Sequence, residues 1–260
     1  MLKTRIITAV ISIVALGIVV FVIPPQATEL VIGLLILAGA WEWSGFLGVS
    51  AKAPRIFYVV LIGLLCVVPY LLPSTTTTVL QIAFVWWFAA FIWTMFFPTP
   101  IPAAVRWASG VLVLVPLFTA LVLLFRDGPQ YLLFALLIVW AADAGAYFAG
   151  KRFGRVKLAP SISPGKTWEG VIGGLLLVMV LSVVAGNWAD VSIAVLLPFC
   201  LGVAALSIVG DLTVSMFKRT AGLKDSGTLF PGHGGVLDRV DSVAAAAPLF
   251  TLGVHWLGLV

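Results

Sequence analysis

Residues 111–125 read VLVLVPLFTALVLLF, and this stretch decides the fold class. Wound as a helix it has no polar face, so it must be buried on all sides or sit in hydrocarbon. It is not a strand of a membrane barrel, because barrel strands alternate lipid-facing with lumen-facing residues over ~10 positions. The whole chain resembles this stretch. Of 260 residues, 62% are hydrophobic and only 10% are charged, and the mean hydropathy is +1.19. That composition lies outside the range of soluble domains.

A spanning helix needs roughly 20 apolar residues. Runs that meet this requirement fall near 6–23, 28–48, 56–72, 79–97, 107–125, 130–150, 170–188, 191–210 and 242–259. The expectation is an all-α polytopic membrane protein of about nine transmembrane helices. The first run follows Lys3 and Arg5 as a signal peptide would. No convincing small-residue cleavage site precedes Pro24 and Pro25, so it counts as a span.

The basic residues set the orientation. With the N-terminus in the cytoplasm and the C-terminus outside, 14 of the 15 lysines and arginines face the cytoplasm, Arg126 being the exception. This is the positive-inside pattern. Two polar loops, 151–169 and 211–241, then share the cytoplasmic face. A net charge of +5 is accounted for by orientation and anionic headgroups, so no nucleic acid partner is needed. Cys66 and Cys200 lie in apolar runs and read as small hydrophobes.

Polarity is spent unevenly along the chain. Residues 1–129 hold three acidic groups (Glu29, Glu42 and Asp127), whereas 130–260 hold seven. The N-terminal part, 1–129, reads as a transmembrane scaffold and 130–260 as the catalytic region. Asp211, Lys218, Arg219, Lys224, Asp225, Asp238, Arg239 and Asp241 all fall between 211 and 241. An ionisable side chain at mid-membrane costs ~2.5–3.5 kcal/mol or more, so such a concentration beside spans marks chemistry or transport.

Within the sixth span, Trp140, Asp143, Tyr147 and Lys151 share one helical face. Tyr147 and Lys151 are explained as headgroup anchors, but Asp143, two turns inside an apolar run, is not. In the segment SISPGKTWEG (161–170), Thr167 is a candidate N-cap and Glu169 suits the first turn of the seventh span. Lys166 beside a helix N-terminus opposes the dipole and suits an anionic ligand. If the eighth helix continues past Asp211, then Asp211, Ser215 and Lys218 or Arg219 form one stripe. Asp238 and Asp241 lie three apart at the start of the ninth span, where acidic groups also serve as caps. Converging carboxylates need a cation between them, and an all-oxygen set suits a hard ion such as Mg²⁺. His233 lacks partners for zinc. The segment PGHGG (231–235) reads as a loop whose amides can approach phosphate. No Walker A or dinucleotide fingerprint is present. The inventory fits metal-assisted phosphoryl or nucleotidyl transfer, with one substrate a lipid.

Residues 207–242, SIVGDLTVSMFKRTAGLKDSGTLFPGHGGVLDRVDS, resemble the signature of the phosphatidate cytidylyltransferase (CDP-diacylglycerol synthase) family. Asp143, Ala146, Tyr147 and Gly150 match a second segment. Ser163, Pro164, Lys166, Thr167, Glu169 and Gly170 match a third. Val214 and Gly165 depart from the pattern. The resemblance implies transfer of CMP from CTP to phosphatidic acid in a membrane-lipid setting, with Mg²⁺ and a monovalent companion such as K⁺. It leaves room for a homodimer. Implied metal ligands are Asp211, Asp238 and Asp241, with Asp143 as a fourth. Catalytic contacts fall to Asp211, Lys218, Arg219, Lys224, Asp238 and Asp241. Substrate-binding positions are Lys166, Ser215, Asp225, His233, Gly234, Gly235 and Arg239. Two rival readings are another lipid-phosphate enzyme, polyprenol kinase-like or a CDP-alcohol phosphotransferase, and an ion-coupled transporter. The phosphotransferase motif Asp-x-x-Asp-Gly is absent, since Ser242 follows Asp241. The transporter expects paired repeats and a midplane site.

Overall fold

The structure, a computed structural model, describes residues 2–229 and 234–259. Among these, nine long helices follow one another: α1 (Leu2–Phe21), α2 (Pro25–Trp43), α3 (Lys52–Leu71), α4 (Thr76–Phe96), α5 (Ala103–Asp127), α6 (Pro129–Phe153), α7 (Trp168–Ala189), α8 (Ile193–Thr220) and α9 (Leu237–Trp256). Prolines open α2 and α6, where the missing N–H would have had no helical partner.

Seven helical segments among the described residues, from the one beginning at Pro25 to the one ending at Thr220, are long and apolar enough to cross a membrane. The outer faces of α3, α4 and α7 expose large hydrocarbon side chains such as Phe57, Phe88, Val85, Leu176 and Val184. In water such a surface would be an aggregation liability; in a bilayer it is the normal exterior. The helix α9 differs. Its first turn is polar and its middle reads SVAAAA. It packs against α8, α5, α4, α6 and α2, and Ser242 to Pro248 and Phe250 to Val254 are buried. A helix enclosed by others has no need of a lipophilic surface.

Two close approaches position the functional end. The α6–α7 pair meets through small residues. A side-chain carbon at Gly145 would overlap the Gly173 carbonyl, and one at Gly174 would overlap that of Ala142. Backbones approach this closely only where side chains are absent. Likewise, a Cβ at Gly210 would strike the Asp241 carbonyl, so α8 and α9 cross at the level of Asp211 and Asp241.

The structure departs from the sequence reading in two places. The segment after α6 holds an antiparallel hairpin, β1 (Lys157–Ala159) with β2 (Ser163–Thr167), so the fold is not purely helical. The polar segment expected at 211–241 is helical at both ends: α8 runs on to Thr220 and α9 begins at Leu237. Hydropathy marks where a helix leaves hydrocarbon, not where its hydrogen bonds stop.

Candidate active site

Because α8 continues, Asp211, Ser215 and Lys218 do lie on one stripe. Ser215 Oγ donates to Asp211 Oδ1 at 3.1 Å. The hairpin brings Lys166 over this stripe, its Nζ 2.5 Å from Asp211 Oδ2. From the other side, α9 brings Asp238 and Asp241. The Lys218 ammonium donates to Asp238 Oδ1 at 2.7 Å and lies 3.8 Å from Asp241 Oδ2. Lys218 is 6% exposed, so it is a buried counter-ion for α9.

Asp241 sits within Coulombic reach of Asp211, Lys218 and Lys166, and its Oδ1 accepts from the Ser242 amide at 2.9 Å. Asp238 is engaged differently. Besides Lys218, its Oδ2 accepts from the amides of Ser226 (2.8 Å) and Gly235 (2.9 Å). It therefore ties Ser226 and Gly235 to the first turn of α9. Of the four carboxylates expected to share a metal, Asp211 and Asp241 lie within Coulombic reach of one another. Asp143 stands on the wall of an adjoining cavity and Asp238 is committed to the loop.

That cavity, about 360 Å³, opens between α6, α7 and the hairpin, and its lining includes Asp143, Tyr147, Lys151, Lys166 and Thr167. Asp143 is within Coulombic reach of Lys166, Asp211 and Arg239, which joins the cavity electrostatically to the cluster. Thr167 caps α7, accepting from the Gly170 amide at 3.2 Å. Glu169 accepts from the Val156 amide at 3.1 Å. Both serve the hairpin–helix junction.

Other expected residues fall outside the cluster. Arg219 donates to the carbonyls of Ile162 and Leu223, each at 3.1 Å, and so ties the hairpin to the end of α8. Lys224, Asp225 and Arg239 are exposed. Gly234 is in the left-handed region (φ 80°), just ahead of the Gly235 amide that meets Asp238. His233 lies outside the described residues.

One participant came from the part read as scaffold. Glu42, in the last turn of α2, accepts hydrogen bonds from Ser226 Oγ and from the amides of Val236 and Leu237, all at 2.8 Å. A signal was present in the sequence: a carboxylate in the last turn of a helix opposes the dipole of that helix, so it has to serve something else.

Among the described residues, no three His, Cys, Asp or Glu side chains stand close enough to cage a metal ion. Mg²⁺ does not require a cage. It is usually held by one or two carboxylates plus substrate phosphates and water. Asp211 and Asp241, two all-oxygen donors within Coulombic reach of one another, fit that mode.

The helices and the charged cluster at one end of them define a membrane-embedded enzyme for phosphate-bearing substrates. The chain belongs to the cytidylyltransferase family, whose model matches residues 3–257. It is 43% identical over 261 residues to a phosphatidate cytidylyltransferase of Pseudomonas aeruginosa, covering 96% of each chain. A protein of the same name from Haemophilus influenzae is 36% identical over 285 residues, covering 96% of this chain and 98% of the other. One from Thermotoga maritima is 37% identical over 258 residues, covering 95% and 94%. The family resemblance of the 207–242 signature thus extends over nearly the full length, including the apolar N-terminal part.

Proposed function

We propose that this protein transfers the CMP moiety of CTP to phosphatidic acid, giving CDP-diacylglycerol and pyrophosphate. The family and its relatives support the reaction type. The observation that carries the site assignment is the cluster Lys166–Asp211 and Asp238–Lys218–Asp241, built where α8, α9 and the hairpin meet beside the cavity.

The reaction makes one bond and breaks one. A phosphate oxygen of phosphatidic acid attacks the α-phosphorus of CTP, and the bridging oxygen to the β-phosphorus leaves with pyrophosphate. The nucleophile is already ionised, so the protein needs no strong base. It must align two anions and offset their charge. The cavity beside α6 and α7 suits the lipid phosphate, with Lys166 and Lys151 as its cations and the acyl chains left in the bilayer. Asp211 and Asp241 would hold Mg²⁺, which supplies charge neutralisation to the triphosphate when bound; a monovalent ion such as K⁺ completes the expected set. Lys218 holds the α9 carboxylates in place, and Lys166 exchanges Asp211 for substrate phosphate.

The proposed topology has nine crossings, with the N-terminus in the cytoplasm, the C-terminus outside and the site on the cytoplasmic side of the cell membrane. The distribution of basic residues supports it. CTP then arrives from the compartment in which it is made.

The test is incorporation of CTP labelled in its α-phosphate into lipid by purified protein given phosphatidic acid and Mg²⁺. Lipid labelling is expected, and Asp211→Asn and Asp241→Asn should each abolish it while the protein stays folded in detergent. Labelling from the γ-phosphate of ATP but not from CTP would replace this reading with a lipid kinase. Near-normal activity in both variants would remove the carboxylates from the mechanism.

A further inference from the structure

We infer that Glu42 is a positioning residue for the reaction: from α2 it fastens Ser226 and the start of α9 at Val236 and Leu237, and so fixes where Asp238 and Asp241 stand. The inference rests on the reading of those carboxylates as working groups of the site.

The geometry is specific. The first amides of a helix have no partners within it. Among the described residues no neighbouring side chain caps α9, since Val236 at the cap position offers no side-chain acceptor. The acceptor comes from 194 and 195 positions away instead, as Glu42 Oε1 takes the Val236 amide and Oε2 the Leu237 amide. The same Oε2 takes the Ser226 hydroxyl, across the loop. Gly227 and Gly235 line the pocket, and a Cβ at either would overlap the Glu42 carboxylate. Glu42 is 8% exposed, so its charge is balanced by these donors and by the α9 dipole rather than by water. Next to it, Trp43 packs on Phe217 with ring centroids 5.0 Å apart, and Phe217 precedes Lys218. The end of α2 therefore touches both helices of the site: α8 through Trp43 and α9 through Glu42.

A glutamine here would set an NH₂ group against a donor, and an aspartate would fall a methylene short. The experiment compares full-length Glu42→Gln, Glu42→Asp and Ser226→Ala with wild type. It reads kcat, KM for CTP, the Mg²⁺ needed for half-activity, and amide hydrogen exchange across 225–237. A misplacement of about 1 Å at a reacting centre can cost on the order of 100-fold in rate. Glu42→Gln should therefore lose about that much in kcat, need more Mg²⁺ and speed exchange at Val236 and Leu237. Glu42→Asp should fall between it and wild type. Ser226→Ala leaves the two amide bonds and should shift each readout in the same direction by less. Wild-type kcat in folded Glu42→Gln, with only a lower Tm, would overturn the proposal. So would lost activity with unchanged exchange, because the effect would then not pass through the loop. If Glu42→Gln does not fold, Ser226→Ala decides, and wild-type behaviour in every readout overturns it. Asp241→Asn, run in parallel, should lose activity with exchange unchanged. If it stays active, the carboxylate reading fails by itself, while the exchange data still judge Glu42.

Discussion

Lys218 shows how much one side chain can hold. Its ammonium is buried between two carboxylates of another helix, and removing one partner of a buried pair costs about 3–5 kcal/mol. Lys218→Met should therefore lower the melting temperature in detergent and abolish turnover. Lys218→Arg keeps the charge but brings a planar fork in place of a compact ammonium. It should lose on the order of 100-fold in rate, while Lys52→Arg, exposed at the start of α3, stays at wild type. Equal activity in Lys218→Arg and Lys52→Arg would reduce Lys218 to a topological anchor. The stripe Asp211, Ser215 and Lys218 was legible in the sequence because helical spacing alone generates it. The pairing of Lys218 with Asp238 was not, because it depends on how two helices cross. Glu42 was counted but not placed, since its partners lie 184 to 195 positions away.

At the level of elements, the apolar runs announced the helices because length and hydrocarbon content suffice for a span. The hairpin gave no such notice. Its strands are three and five residues long, and the second contains Pro164 and Gly165, so no alternation could reveal them. Its position follows from Arg219 bonding to Ile162 and Glu169 to Val156. That position matters because Lys166 rides on it. Gly145→Val should force α6 and α7 apart, costing about 1–3 kcal/mol as overpacking. It should also lower activity by drawing the hairpin and Lys166 off Asp211. Gly202→Ala, with nothing near its missing Cβ, should be stable and active. Loss of activity in Gly202→Ala but not in Gly145→Val would refute this account of the α6–α7 contact.

For the whole molecule, orientation is the claim that ties the site to its nucleotide. Cys66 and Cys200 are buried and free, so they can be replaced and a single reporter placed at exposed Thr228. Thr228→Cys should react with impermeant maleimide in inverted vesicles but not in intact cells; reaction in intact cells would overturn the nine-crossing topology and the CTP route with it. The two halves read from composition prove closely packed: α5 and α4 lie against α9, and α4 against α8. The enclosure of α9 also has a consequence in time. A ribosome delivers the chain from its N-terminal side, and α9 emerges after every helix it packs against. Until then α2, α4, α5, α6 and α8 lack the helix they pack against, and the α9 partners of Lys218 and Glu42 are not yet made. The pairing of Lys218 with Asp238 and Asp241 is therefore among the last contacts that synthesis makes possible.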